Sequence, residues 1–236
     1  MALIHFDPAM LLNSETLVLL KKGISTTMLL FAVSWIAGLT LGIALAVMRM
    51  TKSAILRAAA YVVIVYHQNT PVLLNVLIWY FALPQLLPRE WRLGLNAYNG
   101  EFVFAFVALT LNTASYMAED IRSGVNSVSA QQYEAARAIG LTSLQAMKDV
   151  ILPQALRASI PQLVNQSLML FKATSIGMTV GLLELAGVTR QISSDTFRTI
   201  EIFAISSAIY FVFAFLIMSF GVVAERLWPA SSAVHD

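Results

Sequence analysis

Charged residues leave long gaps in this chain, and the gaps set the expected architecture. No Asp, Glu, Lys or Arg occurs in residues 23–48, 58–88, 102–118 or 202–224, and residues 158–183 are interrupted once, by Lys172. A bilayer core takes roughly 20 mostly apolar residues as a helix. The pattern therefore predicts five spans, about 23–48, 58–82, 102–121, 158–179 and 202–224. Segments of about ten residues with alternating polarity, the mark of a membrane barrel, are not seen. The spans are expected to be helices, which pair their own backbone groups in hydrocarbon. Ala44-Leu45-Ala46 mimics a leader-cleavage site, but the apolar run is too long and starts too late, after Asp7 and Glu15.

Composition agrees. Of 236 residues, 58% are hydrophobic and 12% charged, with mean hydropathy +0.73. A soluble domain carries about 25% charged residues. Fifteen Lys and Arg nearly balance thirteen Asp and Glu, so the basic footprint of a nucleic-acid binder is absent. Zero Cys excludes disulfides and thiolate metal sites, and His5, His67 and His235 are too scattered to form a metal site.

Lys and Arg near span ends orient the chain. The loop after the first span holds Arg49, Lys52 and Arg57 without an acid and is placed in the cytoplasm. Residues 1–22 are then a periplasmic segment, the 83–101 loop is outside, and the 229–236 tail is cytoplasmic. Residues 184–200, with Glu184, Arg190, Asp195 and Arg198, are too polar to span and predict a short outer helix.

One polar segment carries a pattern. Residues 131–139 are good helix formers, and Gly140 follows as a stop. Thr142 or Ser143 caps a second short helix over 144–151, which Pro153 is expected to end. The result is a helix–Gly–helix elbow, with Tyr133, Ala136, Ile139 and Leu144 on one face and Glu134, Arg137 and Lys148 on the other. Such an elbow suits either an interfacial cover or a docking knob.

Glu134-Ala135-Ala136, then Gly140, then Val150-Ile151-Leu152-Pro153, resembles the EAA loop of ABC-importer permeases, with Val150 at the usual Ile position. The surrounding Tyr116–Gly124, Leu152-Pro153-Gln154-Ala155-Leu156-Arg157, Leu170–Ser175 and Gly181-Leu182-Leu183-Glu184-Leu185 are similar to the polar amino-acid uptake permeases of His/Gln/Arg/Glu type, over about residues 20–228. The chain departs in Gln68-Asn69-Thr70-Pro71, where the family often has Arg-Gly-Thr-Pro, and in Lys172-Ala173-Thr174-Ser175, where it often has Lys-Asp-Thr-Ser.

The resemblance implies an all-α integral membrane protein of ABC-importer type I permease fold, with five transmembrane helices and a cytoplasmic coupling elbow at about 127–156. It implies a multi-pass protein of the bacterial inner membrane that is not itself an enzyme. Its partners would be a second permease subunit, identical or homologous, two cytoplasmic ATPase subunits, and a periplasmic or lipid-anchored amino-acid-binding protein. ATP and Mg would be bound by the ATPase, and this chain would hold no cofactor. The sequence contains no G-x-x-x-x-G-K-[ST] loop of its own. Glu134, Ala135, Ala136, Gly140, Leu152 and Pro153 would couple to the ATPase, and the permease pair would give alternating access by rocking about a midplane site.

Polar residues within the spans are candidates for that site. Lys172 costs about 3 kcal/mol near mid-bilayer and by default faces a cavity or partner. Gln162, Asn165, Met169 and Lys172 share one helical face, with Gln166 and Ser167 nearby. Asn69, Thr70, Asn112, Tyr116, Lys172, Thr174 and Ser175 are the expected substrate contacts, with His67 a packing residue. Glu184, a partner residue or the substrate carboxylate would neutralise Lys172. Glu119 and Arg122, at i and i+3, predict an ion pair. Gly38 with Gly42 and Gly177 with Gly181 form G-x-x-x-G patterns, the first a helix contact. Ala173, where an acid is frequent, points to an anionic or neutral polar amino acid, glutamate and aspartate included. The competing classes are an intramembrane enzyme, which lacks a matched acid–base set in the spans, and a membrane scaffold, which leaves the elbow unexplained.

Overall fold

A computed structural model describes residues 14–97 and 99–228; the 229–236 tail and residues 1–13 lie outside them. The regular structure among the described residues is helical throughout. The helices are α1 (Ser14–Met50), α2 (Ala54–Asn69), α3 (Val72–Leu77), α4 (Arg89–Ala97), α5 (Gly100–Ser127), α6 (Ala130–Ala138), the single turn α7 (Ser143–Gln145), α8 (Leu152–Ala173), α9 (Leu185–Thr196) and α10 (Thr199–Leu227).

Three of these, α1, α5 and α10, are each long and apolar enough to cross a membrane. Two further pairs pass together but are bent at a short break: α2 with the segment Val72–Leu86, and Ser143–Val180 with α9, giving up to five spans. The second span is therefore broken at Thr70-Pro71 rather than being the single helix expected over 58–82. Pro71 cannot donate an N–H and restricts Thr70 to extended backbone, so a helix cannot run through. The first helix starts at Ser14, nine residues before the apolar run, with Glu15, Lys21 and Lys22 on its exposed face. At 1.5 Å per residue it is about 55 Å long, well beyond the roughly 30 Å hydrocarbon core.

The chain forms two compact units. One comprises the described residues up to Ile36 with Thr70–Thr110 and Met169–Phe215. Its core joins Leu30, Val76, Leu109, Leu170, Val180 and Leu182, and a second cluster joins Leu20, Leu185, Val188, Ile192 and Ile202. The other comprises Ala37–Asn69, Leu111–Leu168 and Leu216–Asp236. Its core is made of smaller side chains, Ala46, Ala60, Ala114 and Ala118 with Leu45, Ile64 and Ile121. Small residues let membrane helices approach closely. At Gly42 of α1 a Cβ would lie 3.0 Å from Met117 Cβ and 3.1 Å from the Ala114 carbonyl oxygen of α5. The expected glycine contact in the first span is thus made at Gly42. On α10, Phe211, Phe215 and Phe220 are exposed, a surface suited to lipid or another subunit.

Candidate functional site

The elbow is built by paired capping. Ser129 Oγ accepts from the Gln131 N–H at the start of α6. At its end Leu141 N donates to Ala136 O (3.2 Å) and Gly140 N to Arg137 O (3.0 Å), the two bonds of a Schellman turn. Gly140 has φ +92°, and a Cβ there would meet nothing within 4 Å, so glycine is present for its backbone freedom and not for space. Arg137 Nη1 also donates to Leu141 O at 2.6 Å. Thr142 then opens α7 with a capping box: Gln145 N donates to Thr142 Oγ1 at 3.3 Å, and Thr142 N to Gln145 Oε1 at 2.8 Å.

Two expectations about the elbow are corrected. Pro153 does not end the second helix. A π-helical stretch, Ala146–Ile151, leads directly into α8, and Pro153 is its second residue. Leu152 N donates to Met147 O five residues back, so the missing N–H of Pro153 falls where the helical ladder is already shifted by the π turn, and the chain continues. Nor do Tyr133, Ala136, Ile139 and Leu144 share one face. Ala136 is buried where α6 packs against the π stretch, whereas Ile139 and Leu144 are 79% and 78% exposed on either side of Gly140. Glu134 and Ala135 are exposed. The tip therefore presents two uncovered apolar side chains on a rigid turn. Leu152 and Pro153 are exposed at the base, and Leu152 lines an apolar cavity with Ile43, Val47 and Leu156.

The break at Pro71 is repaired from α5. Pro71 leaves the His67 carbonyl without its i+4 donor, and Asn112 Nδ2 supplies one at 3.0 Å. Tyr116 Oη donates to the neighbouring Gln68 carbonyl at 3.1 Å, and Gln68 Nε2 returns a bond to Ser115 O at 3.2 Å. In hydrocarbon such carbonyls must be paired. The i, i+4 spacing of Asn112 and Tyr116 places both on the face that meets the two freed carbonyls. Asn69 Nδ2 bonds to its own helix at Val65 O, 2.8 Å. Asn75 Nδ2 donates to Thr70 O at 3.4 Å.

Lys172 is exposed in the last turn of α8 and forms no ion pair among the described residues. Gln162, Asn165 and Met169 are exposed on the same helical face. Ser175 Oγ donates to Lys172 O at 2.7 Å. Thr174 is fully buried, and its hydroxyl is taken by Phe171 O at 2.6 Å, so its side chain closes the helix end. A 3-10 segment, Thr174–Val180, ends at Gly181 with φ +90°.

Glu184 does not neutralise Lys172. It is fully buried and caps α9, accepting from Gly187 N (2.8 Å) and Ala186 N (3.0 Å). Tyr210 Oη (2.9 Å) and Thr27 Oγ1 (3.4 Å) complete four donors to one carboxylate. Asp, Ser, Thr and Asn are the usual caps, so a glutamate gave the sequence no cap signal. The expected Glu119–Arg122 pair forms at 2.7 Å, and Arg49 reaches the same carboxylate at 3.3 Å. Arg49 also stacks on Tyr61 at 4.8 Å. No group of three His, Asp or Glu among the described residues is arranged to hold a metal ion.

A helical chain with three to five candidate membrane spans and a capped elbow has the form expected of an ABC-importer permease subunit. The chain belongs to the family described as binding-protein-dependent transport system inner membrane component, whose model matches residues 38–229. The octopine transport system permease protein OccM of Rhizobium meliloti is 35% identical over 95% of this chain and 91% of its own. The arginine transport system permease protein ArtQ of Bacillus subtilis is 34% identical over 87% and 90%. The crystal structure of an amino acid ABC transporter with histidines superposes with TM-score 0.83, at 29% identity over 96% of this chain and 99% of that one. The chain is thus an integral inner-membrane permease component of an amino-acid ABC importer. It works with ATPase and substrate-binding partners, and the ATPase hydrolyses ATP.

Proposed function

We propose that this chain admits a polar amino acid, with Lys172 receiving a substrate carboxylate. The observation that carries the reading is the polar face of α8. Gln162, Asn165 and Lys172 lie uncovered along α8, which counts as a membrane span only together with its neighbouring segments. Against lipid a lysine costs up to about 3 kcal/mol at a helix centre and less toward a helix end. The face is stable only against a water-filled path or a second permease subunit, identical or homologous. Ser175, Asn69 and Thr70 add polar groups. Asn112 keeps its amide oxygen and Tyr116 its phenolic lone pairs for a ligand, while Thr174 contributes by fixing the helix end. Ala173 beside Lys172 favours an anionic or neutral polar amino acid, glutamate and aspartate included. The relatives named for octopine and arginine keep a wider set in range, because every amino acid offers the α-carboxylate.

The remaining machinery follows from the same reading. The 131–153 elbow docks its Ile139–Leu144 tip on one of two cytoplasmic ATPase subunits, which bind ATP and Mg. A periplasmic or lipid-anchored binding protein delivers substrate, and the permease pair rocks between access states. The N-terminus lies outside and the C-terminus in the cytoplasm. The test is Lys172→Met, which keeps length and removes charge. Uptake into proteoliposomes at limiting substrate should fall about tenfold or more, as for a lost charge-assisted contact. Unchanged uptake at matched expression would make Lys172 structural.

A further inference from the structure

Helix α9 divides its residues between two faces. Leu185, Val188, Thr189 and Ile192 are buried. Arg190, Gln191, Ser194 and Asp195, at i, i+1, i+4 and i+5, lie on another face. Together with the 178–183 segment they line a pocket of about 300 Å³, the lower end of the ligand-site range. The 12-residue helix carries two charges and passes as a membrane span only together with the preceding segment, and Arg190, Ser194 and Asp195 are exposed on this face.

Ser194 Oγ donates to the Arg190 carbonyl at 3.0 Å, while the charged side chains of the pocket are left open. Arg190 and Asp195 line the same cavity yet form no ion pair, with each other or with any other described residue. Gln191 Oε1 is buried without a hydrogen-bond partner, which normally carries a penalty. At Gly181 a Cβ would have no neighbour closer than 3.9 Å, so the wall there stays open. A cation and an anion held apart around one cavity match a ligand that carries both charges on substituents of one carbon. A free α-amino acid is such a ligand.

We propose that this pocket is a second, water-side subsite for the zwitterionic amino acid, in which Arg190 pairs with the carboxylate and Asp195 with the ammonium. The subsite rests on the amino-acid transport reading above and adds a station beside the 174–183 segment, separate from the Lys172 contact.

The test begins with uptake into proteoliposomes, which establishes which of L-arginine, L-glutamine and L-glutamate the complete complex imports; no uptake of any would defeat the transport reading itself. Equilibrium binding of that radiolabelled amino acid is then measured on the permease–ATPase complex in nanodiscs, without binding protein, in the Lys172→Met background. Binding should persist there and weaken about tenfold or more with Arg190→Gln and with Asp195→Asn, the loss expected for one charge-assisted contact, and Arg190→Lys should restore part of it. The N-acetylated and the decarboxylated forms of the same amino acid should fail to compete, an arm that needs no variant to fold. Competition by either form, no binding in the Lys172→Met background, or binding indifferent to both charge removals overturns the subsite. Loss of binding-protein-stimulated ATPase with amino-acid binding unchanged also overturns it and assigns the pocket to the protein partner.

Discussion

Asn112 donates its side-chain amide to the carbonyl of His67 at 3.0 Å, the acceptor that Pro71 leaves open four residues on. This one bond explains how a span can break in the membrane. The break frees carbonyls, and α5 supplies side-chain donors at the matching spacing.

Removing the donor should therefore cost stability before it costs affinity. Asn112→Leu leaves a carbonyl unpaired, a loss of about 1–3 kcal/mol, and Tyr116→Phe does the same to the Gln68 carbonyl. Thermal unfolding of the purified complex should show a lower Tm for both. An unchanged Tm with weakened substrate binding would make these residues ligand contacts alone.

Gly140 tests conformation against space. A Cβ at this position meets nothing, but φ +92° costs a non-glycine residue about 1–2 kcal/mol. Gly140→Val should abolish uptake while the chain still inserts. Gly140→Asn, which tolerates left-handed backbone, should retain more uptake than Gly140→Ala. Equal uptake for all three would show that the turn is not what couples the ATPase.

Glu184 is expected to be structural. Glu184→Ala strands Tyr210, Thr27 and two backbone donors, and loss of the cap alone costs about 1 kcal/mol. The Tm of the complex should fall clearly, and Glu184→Gln, which keeps one acceptor oxygen, should fall less. Wild-type Tm in Glu184→Ala would contradict the buried network.

Orientation can be read chemically because the chain has no cysteine. Ser53 is exposed in the loop between α1 and α2. Ser53→Cys should react with an impermeant maleimide in inside-out vesicles and resist it in intact spheroplasts. The reverse pattern would invert the topology.

Much of this was legible in charge spacing. The apolar gaps coincide with α1, α5, α10 and the two bent pairs, and Glu134-Ala135-Ala136 with Gly140 marks the elbow, because a stop glycine and a Thr142 cap are local signals. Pro153 misled, since a proline in a first helical turn and one that ends a helix read alike in sequence. Pro71 is visible in the sequence, but its repair by Asn112 and Tyr116 is not, because a polar side chain in a span does not say whether it pairs with backbone or ligand. Glu184 is not legible as a cap because glutamate is not a usual N-cap residue. Its four donors come from Thr27, Tyr210 and the start of α9, far apart along the chain. Arg49 to Glu119 likewise needed the fold.

The most direct test of the account is ATP-dependent uptake by the reconstituted complex. The permease, its ATPase and its binding protein are placed in proteoliposomes, and accumulation of labelled L-arginine, L-glutamine and L-glutamate is followed with and without ATP on the ATPase side. The account predicts ATP-dependent accumulation of at least one of them, lost with Gly140→Val and reduced with Lys172→Met. Accumulation that does not need ATP, or none of any polar amino acid by a complex whose ATPase responds to the loaded binding protein, would contradict it.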